Sequence, residues 1–227
     1  MKKSKHSCDL QSCSFCRSCV KEWAPAIEAN RKNYHFSKGE LLFREGEKVE
    51  GMYFIYAGKV KVHKKWDDEK ELIVRFAGKG DIVGHRGLGK DPYYPVSGTA
   101  LEPVDVCFID LDFFLTSLKV NHDFTFQLMM FFAEELQESE RKMRNMAHMP
   151  VKGRVIQALL KLKEKYGETN DGFVDITITK QDIASYAGTT YETVFRIMNE
   201  LEADKTIATK GKNFRIINQN ALKKLLQ

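Results

Sequence analysis

The chain has 227 residues, 43% of them hydrophobic, and no apolar run near the roughly 18 residues that a membrane-spanning helix needs, which excludes a helical membrane protein and leaves room for two soluble domains. The formal net charge of +5 is unevenly placed: positions 151–227 hold 13 Lys and Arg against 9 Asp and Glu, leaving 23 against 22 for positions 1–150. A C-terminal basic surplus permits an anionic partner and is equally compatible with a solvated face.

The first residues, MKKSKHSC, are basic but lead into no apolar core or cleavage site, so no export signal is expected and the protein reads as cytoplasmic. The stretch CDLQSCSFCRSC then packs Cys8, Cys13, Cys16 and Cys19 into twelve positions, and the fifth cysteine, Cys107, stands far downstream. Disulfides seldom persist in a reducing compartment, so this 1–33 segment points to a metal centre or a redox sensor. Cys8, Cys13 and Cys16 have the spacing of plant-type ferredoxins, whereas Cys13, Cys16 and Cys19 match the bacterial ferredoxin triplet. Four N-terminal thiolates could also hold zinc without Cys107, and free redox-active thiols are a further reading. Cys107 alone, in an apolar strand, would be an ordinary small hydrophobe. His6 and His35 read as solvated.

Ten of the 15 glycines fall between Gly39 and Gly98, separating short runs of β-formers such as MYFIY, KVKVH and ELIVRF. Short strands with closely spaced glycine turns predict an antiparallel roll over 34–120. Glycines then disappear, and Met129, Phe132, Leu136, Ser139, Met143 and Met146 recur at alternating steps of three and four. That heptad seam predicts one long helix over 121–149. A second apolar set, Phe124, Leu128 and Phe131, can pack back on the roll. The helix is either a core helix with two buried faces or a dimerisation helix; Glu134, Glu138, Arg141 and Arg144 leave the seam little else nearby to bury against, which favours the dimer. Pro150 stops it.

Positions 150–227 read as a winged helix-turn-helix: a helix Val151–Tyr166, a turn, a short strand FVDITI, the helices TKQDIASYA and TTYETVFRIMNELEAD split by Gly188, and a hairpin turned at Gly211. Val194, Ile197, Met198 and Leu201 form the inward stripe of the last helix, which leaves Tyr191, Glu192, Phe195, Arg196 and Asn199 towards solvent; Tyr191, Glu192, Phe195 and Arg196, with Thr190 before them, are the candidate DNA contacts. The string TTYE reads as a capping box, with Thr189 as cap and Glu192 reaching back to its amide. Base readout competes for Glu192: its carboxylate could accept from cytosine N4 while Arg196 donates to guanine O6 and N7. Phe195 could contact a thymine methyl or fill a gap against the wing. Lys180, Lys210, Lys212 and Arg215 are candidates for phosphate contacts.

A β-roll, a long helix and a winged helix-turn-helix in that order, an α+β arrangement with a cyclic-nucleotide-binding-like jelly roll, resemble the Crp/Fnr family of bacterial transcription regulators. The segment GDIVGHRGLGKDPYYPVSGTALEPVDVCFID is similar to the family's effector-domain segment, and TTYETVFRIMNELE to its recognition helix; the likeness runs from about Phe36 to the C-terminus. The resemblance implies a homodimer without enzymatic activity or membrane attachment that binds double-stranded DNA at an inverted repeat, with RNA polymerase as a partner and Glu192 and Arg196 as base readers. Members that bind cyclic AMP present an arginine and a serine to the cyclic phosphate. The matching positions here are Tyr94 and Pro95, and Arg86 lies too far upstream to substitute, so cyclic AMP is not the expected ligand. The Fnr-type branch instead carries an iron–sulfur cluster on three N-terminal cysteines and one from the roll, a place that Cys107 in VDVCFID matches. The spacing departs from that branch's C-x₂-C followed by a longer gap, so which three thiols join Cys107 stays open, and Phe195 replaces a small polar residue. A cupin-like metal enzyme would need clustered histidines, and His35, His63 and His85 form no HxH pattern.

Overall fold

The computed structural model describes residues 2–3, 13–67 and 70–226, so Cys8 and His6 lie outside the described residues. It divides into two compact units, residues 1–68 with 73–137, and residues 69–72 with 138–227. The first begins with β1 (Lys2–Lys3), α1 (Ser14–Ser18), a 3-10 turn at Lys21–Trp23 and α2 (Ala24–Asn30). The strands follow: β2 (Arg31–Phe36), β3 (Leu41–Phe43), β4 (Gly51–Ala57), β5 (Val60–Lys65), β6 (Glu71–Ala77), β7 (Ile82–Val83), β8 (Ser97–Ala100) and β9 (Val104–Asp110). Helices α3 (Leu111–Val120) and α4 (His122–His148) come next.

The strands form two sheets, ordered β1-β2-β9-β4-β7 and β3-β8-β5-β6. Strand β9 is central, antiparallel to both β2 and β4, and so is buried along most of its length. Strand β2, nearer the edge, buries only Tyr34 and Phe36, two residues apart on one face. Gly58 turns β4 into β5 at φ 87°, where a Cβ would lie 2.3 Å from the Pro103 carbonyl oxygen; no other residue fits there. Asp110 caps α3 by accepting from the Phe113 amide at 3.0 Å. Phe124 and Leu128 of α4 are buried in the roll's core with Phe131 packed against it, the second apolar set read from the sequence.

The second unit contains α5 (Val151–Tyr166), α6 (Lys180–Ala187), α7 (Tyr191–Ala203), β10 (Ile207–Lys210), β11 (Asn213–Ile216) and α8 (Gln219–Lys224). The order of roll, long helix and helix-turn-helix with its antiparallel hairpin is the α+β architecture expected. Helix α6 starts with a capping box, Thr179 and Asp182 each accepting the other's amide. Its end is Gly188 in the left-handed region at φ 65°. Arg154 of α5 donates to the carbonyls of Met146 and Met149 at the end of α4 and of Ala187 and Gly188 at the end of α6, placing one cation on two helix C-termini.

Three local expectations are corrected. The run FVDITI is not a strand: Val174, Ile176 and Ile178 are buried alternately, but the backbone makes an isolated bridge from Val174 to Glu168 and a single bond from the Val174 amide to the Phe214 carbonyl of β11, and the Ile176 amide turns back to the Val174 carbonyl. The cap of α7 is Thr190 rather than Thr189, because the Thr189 amide is still engaged by the Ala184 carbonyl of α6 and the new helix starts one residue later. Helix α8, capped by Asn218, was not expected.

Candidate functional site

The N-terminal cysteines are positioned by the residues between them. Phe15 is fully buried, stacked 5.0 Å from Phe54 of β4 and set edge-on 4.8 Å from Phe124 of α4, with Phe114 of α3 at 6.2 Å. Polar contacts fasten the segment beyond it. The Ser18 hydroxyl donates to Gln127 Oε1 at 2.6 Å, the Val20 amide to Asn121 Oδ1 at 2.8 Å, and the Trp23 indole N–H to Ser117 Oγ at 3.0 Å. The Trp23 ring also stacks on Phe113 at 5.8 Å. None of these anchors was singled out from sequence; an apolar Phe inside C-S-F-C was the available signal.

Cys107 is fully buried in β9 and is the cross-strand partner of Phe54, on which Phe15 stacks. Directly paired residues share a sheet face, so docking Phe15 brings the N-terminal thiols to Cys107. The electrostatics register this convergence. A hydrogen bond with Cys13, then burial, then the thiols of Cys13, Cys107 and Cys19 push the Cys16 thiol far above its ordinary range. Burial, and after it Cys13, pushes Cys19 up to about 12. Cys16 and Cys19 are therefore held as neutral thiols, and with Cys13 and Cys107 they make a group of neighbours that is sulfur-only in donor chemistry. Among the described residues no group of three or more His, Cys, Asp or Glu stands ready to hold a metal ion, so the fit lies in donor type and proximity rather than in preformed coordination. His35 is not simply solvated: its Nδ1 lies 2.9 Å from Asp105 Oδ1.

Inside the roll, Tyr94 is buried with its hydroxyl donating to the Gly51 carbonyl at 2.9 Å, and its ring lies 4.6 Å from Phe43. Tyr53 continues the aromatic packing to Phe43 and Phe108. The phenol of Tyr94 and the neighbouring Pro95 thus bring no charge to this part of the roll. Towards α4, Glu135 accepts from Arg86 at 2.6 Å and faces Arg75 at 3.6 Å and His85 at 3.9 Å. On α4 itself, Met129, Phe132, Leu136 and Met143 of the seam are exposed, whereas Met146 is half-buried, its Cε 3.1 Å from where a Cβ on Gly188 would stand.

Helix α7 buries Val194, Ile197, Met198 and Leu201 and exposes Tyr191, Glu192, Phe195, Arg196 and Asn199, as its periodicity predicts. Thr190, the cap, accepts from the Thr193 amide. Glu192 is held below the usual carboxylate range by its own backbone amide and the Thr190 hydroxyl, so it is ionised and oriented at the helix start. The Arg196 guanidinium rests 2.6 Å from Glu200 Oε1. Lys180 lies 5.7 Å over the Phe195 ring, and a cleft between α7 and the hairpin is lined by Lys180, Tyr191 and Lys212. Lys210 ends β10.

Residues 34–121 match the cyclic nucleotide-binding domain and residues 153–225 the Crp-like helix-turn-helix domain. The cAMP-activated global transcriptional regulator CRP of Pasteurella multocida is 34% identical over 193 residues, which cover 83% of this chain and 92% of that protein. The anaerobic regulatory protein of Bacillus subtilis is 31% identical over 190 residues, 82% of this chain and 79% of that one. In fold, FixK2 from Bradyrhizobium japonicum is similar with a TM-score of 0.77 at 22% identity, covering 86% of this chain and 96% of that chain.

Proposed function

The chain belongs to the Crp/Fnr family of DNA-binding transcription regulators, and from that premise we propose a cytoplasmic homodimer whose DNA binding is governed by an iron–sulfur cluster held on Cys13, Cys16, Cys19 and Cys107. The observation that carries the reading is the meeting of Cys107, buried in the roll, with three thiols from the distant N-terminal segment. When bound, the cluster would supply oxidant-sensitive chemistry, and oxygen or another oxidant would be the signal. The chain's own residues do the coupling. Phe15, between two of the ligands, packs on α4 through Phe124, and Ser18 and Val20 bond Gln127 and Asn121 at the start of that helix. Loss of the sulfur ligation would release the segment from the helix that carries the dimer seam. Cyclic AMP is not the effector in this reading, which the Tyr94 ring packed against Phe43 and the absence of charge at Tyr94 and Pro95 support.

On DNA, Glu192 and Arg196 would read bases and Lys180, Lys210 and Lys212 would hold phosphates, with RNA polymerase recruited at the promoter. Anaerobic purification followed by iron, sulfide and zinc analysis tests the centre. Iron and acid-labile sulfide that vanish in Cys107→Ser support the cluster. A colourless protein with one zinc per chain, unaffected by Cys107→Ser, would overturn it.

A further inference from the structure

The buried stripe of α7 is complete without Tyr191 and Phe195, which remain 44% and 46% exposed along its flank. The two rings stand one helical turn apart with centroids 6.2 Å from each other and planes 22° apart, so they form a single apolar plate. Lys180 of α6 lies over Phe195 at 5.7 Å, holding the ring from one side with a cation. The cleft against the hairpin is lined by Lys180, Tyr191, Met198, Thr209, Lys212 and Phe214, while the Phe195 ring is 46% exposed. The plate is flanked on its own helix by Glu192 and by Arg196, whose guanidinium is engaged by Glu200.

We propose that the stacked Tyr191–Phe195 pair is a specificity-determining element that reads thymine 5-methyl groups in the major groove of the half-site. This deepens the reading of α7 as the recognition helix and rests on it. The chemistry selects the partner. Guanine, adenine and cytosine present only donors and acceptors along the major-groove edge, and the thymine methyl is the one apolar group available there. An aromatic plate continuous with Glu192 and Arg196 therefore distinguishes thymine from cytosine beside the bases that those two side chains read. The same contact would accept 5-methylcytosine, which carries an identical methyl.

The test uses full-length protein purified anaerobically. An inverted-repeat site is selected from a random duplex pool, and each half-site thymine is then replaced in turn by deoxyuridine, which removes the methyl and nothing else. At matched salt, the natural chain should lose about fourfold in affinity at one or two thymines per half-site. Cytosine to 5-methylcytosine at those positions should recover that same factor of about four out of a cytosine penalty. In Phe195→Ser the deoxyuridine effect should disappear, and Tyr191→Ala, checked for an unchanged helical spectrum, should weaken it independently. Arg196→Ala separates the two readings. If it relaxes a guanine preference while every deoxyuridine stays neutral, α7 is the recognition helix and the methyl contact is wrong. If Phe195→Ser keeps the full deoxyuridine penalty, the plate is likewise wrong. If neither guanine nor thymine preference depends on any α7 side chain, the recognition reading falls and this inference with it.

Discussion

His85 is a neutral imidazole in a setting built from charges. It is buried beside Arg75 on β6, its neighbour Arg86, Asp81 and Glu135 of α4, with the edges of Phe131 and Phe132 against its ring. Burial, then Arg75, then Arg86 lower its pKa to about 3. Below the ordinary value of 6.5 the unfolded chain takes up a proton that the folded chain refuses. Stability from this group is therefore fully present above 6.5 and is lost as pH falls from there towards 3. Each unit in that window costs up to about 1.4 kcal/mol. Urea melts between pH 6.5 and 5, above the range where most carboxylates titrate, should show a falling stability that His85→Gln flattens. Equal slopes in the two proteins would mean that His85 is already free to protonate in the fold.

At the scale of the element, α4 presents one apolar set to the roll and another to solvent. Phe124 and Leu128 are buried in the roll, while Leu136 is 62% exposed in line with Met129 and Met143. If that seam is the dimer contact, Leu136→Glu places two like charges in a desolvated helix pair, and light scattering should report a monomer of normal helicity. A dimer of unchanged mass would mean that the seam faces water. The roll-facing set of α4 and the buried stripe of α7 were legible in the sequence, because an apolar residue every three or four positions is a local signal of which side is covered. FVDITI carried an equally clear alternation and still failed as a strand, since a ladder needs a partner and the local pattern does not supply one. The two threonines at 189 and 190 offer identical caps, and the choice falls to a carbonyl of the preceding helix. Helix α1 was illegible for a related reason: it is five residues long, the Cys13 side chain gives no capping bond to its first turn, and its place is set by the Phe15 contacts. The meeting of Cys107 with Cys16 rests on tertiary packing alone, and only the likeness to a family pointed to it.

For the whole molecule, the proposed two-fold symmetry would constrain what the DNA must look like. A two-fold homodimer carries two copies of α7, and two copies can occupy successive major grooves on one side of the duplex only if the half-sites are inverted and about 34 Å, one helical turn, apart. Inserting five base pairs between them turns one half-site to the far side of the duplex. Affinity should then fall to that of a single half-site, a loss on the order of a hundredfold, because the second contact no longer benefits from being tethered to the first. A monomeric Leu136→Glu variant should bind the intact and the interrupted site alike, which makes the dimer seam and the spacing one coupled prediction. The salt dependence supplies the independent check. Lys212 lies at the hairpin turn with Lys210, and if it meets a phosphate in each half-site, Lys212→Ala removes two such contacts per dimer. The slope of log K against log salt should become shallower by about 0.9 for each, and to the same extent on specific and random sequences. A slope that stays unchanged while affinity drops on one sequence alone would place Lys212 among the base readers, and the division of the surface into readers on α7 and phosphate contacts on the hairpin would have to be redrawn.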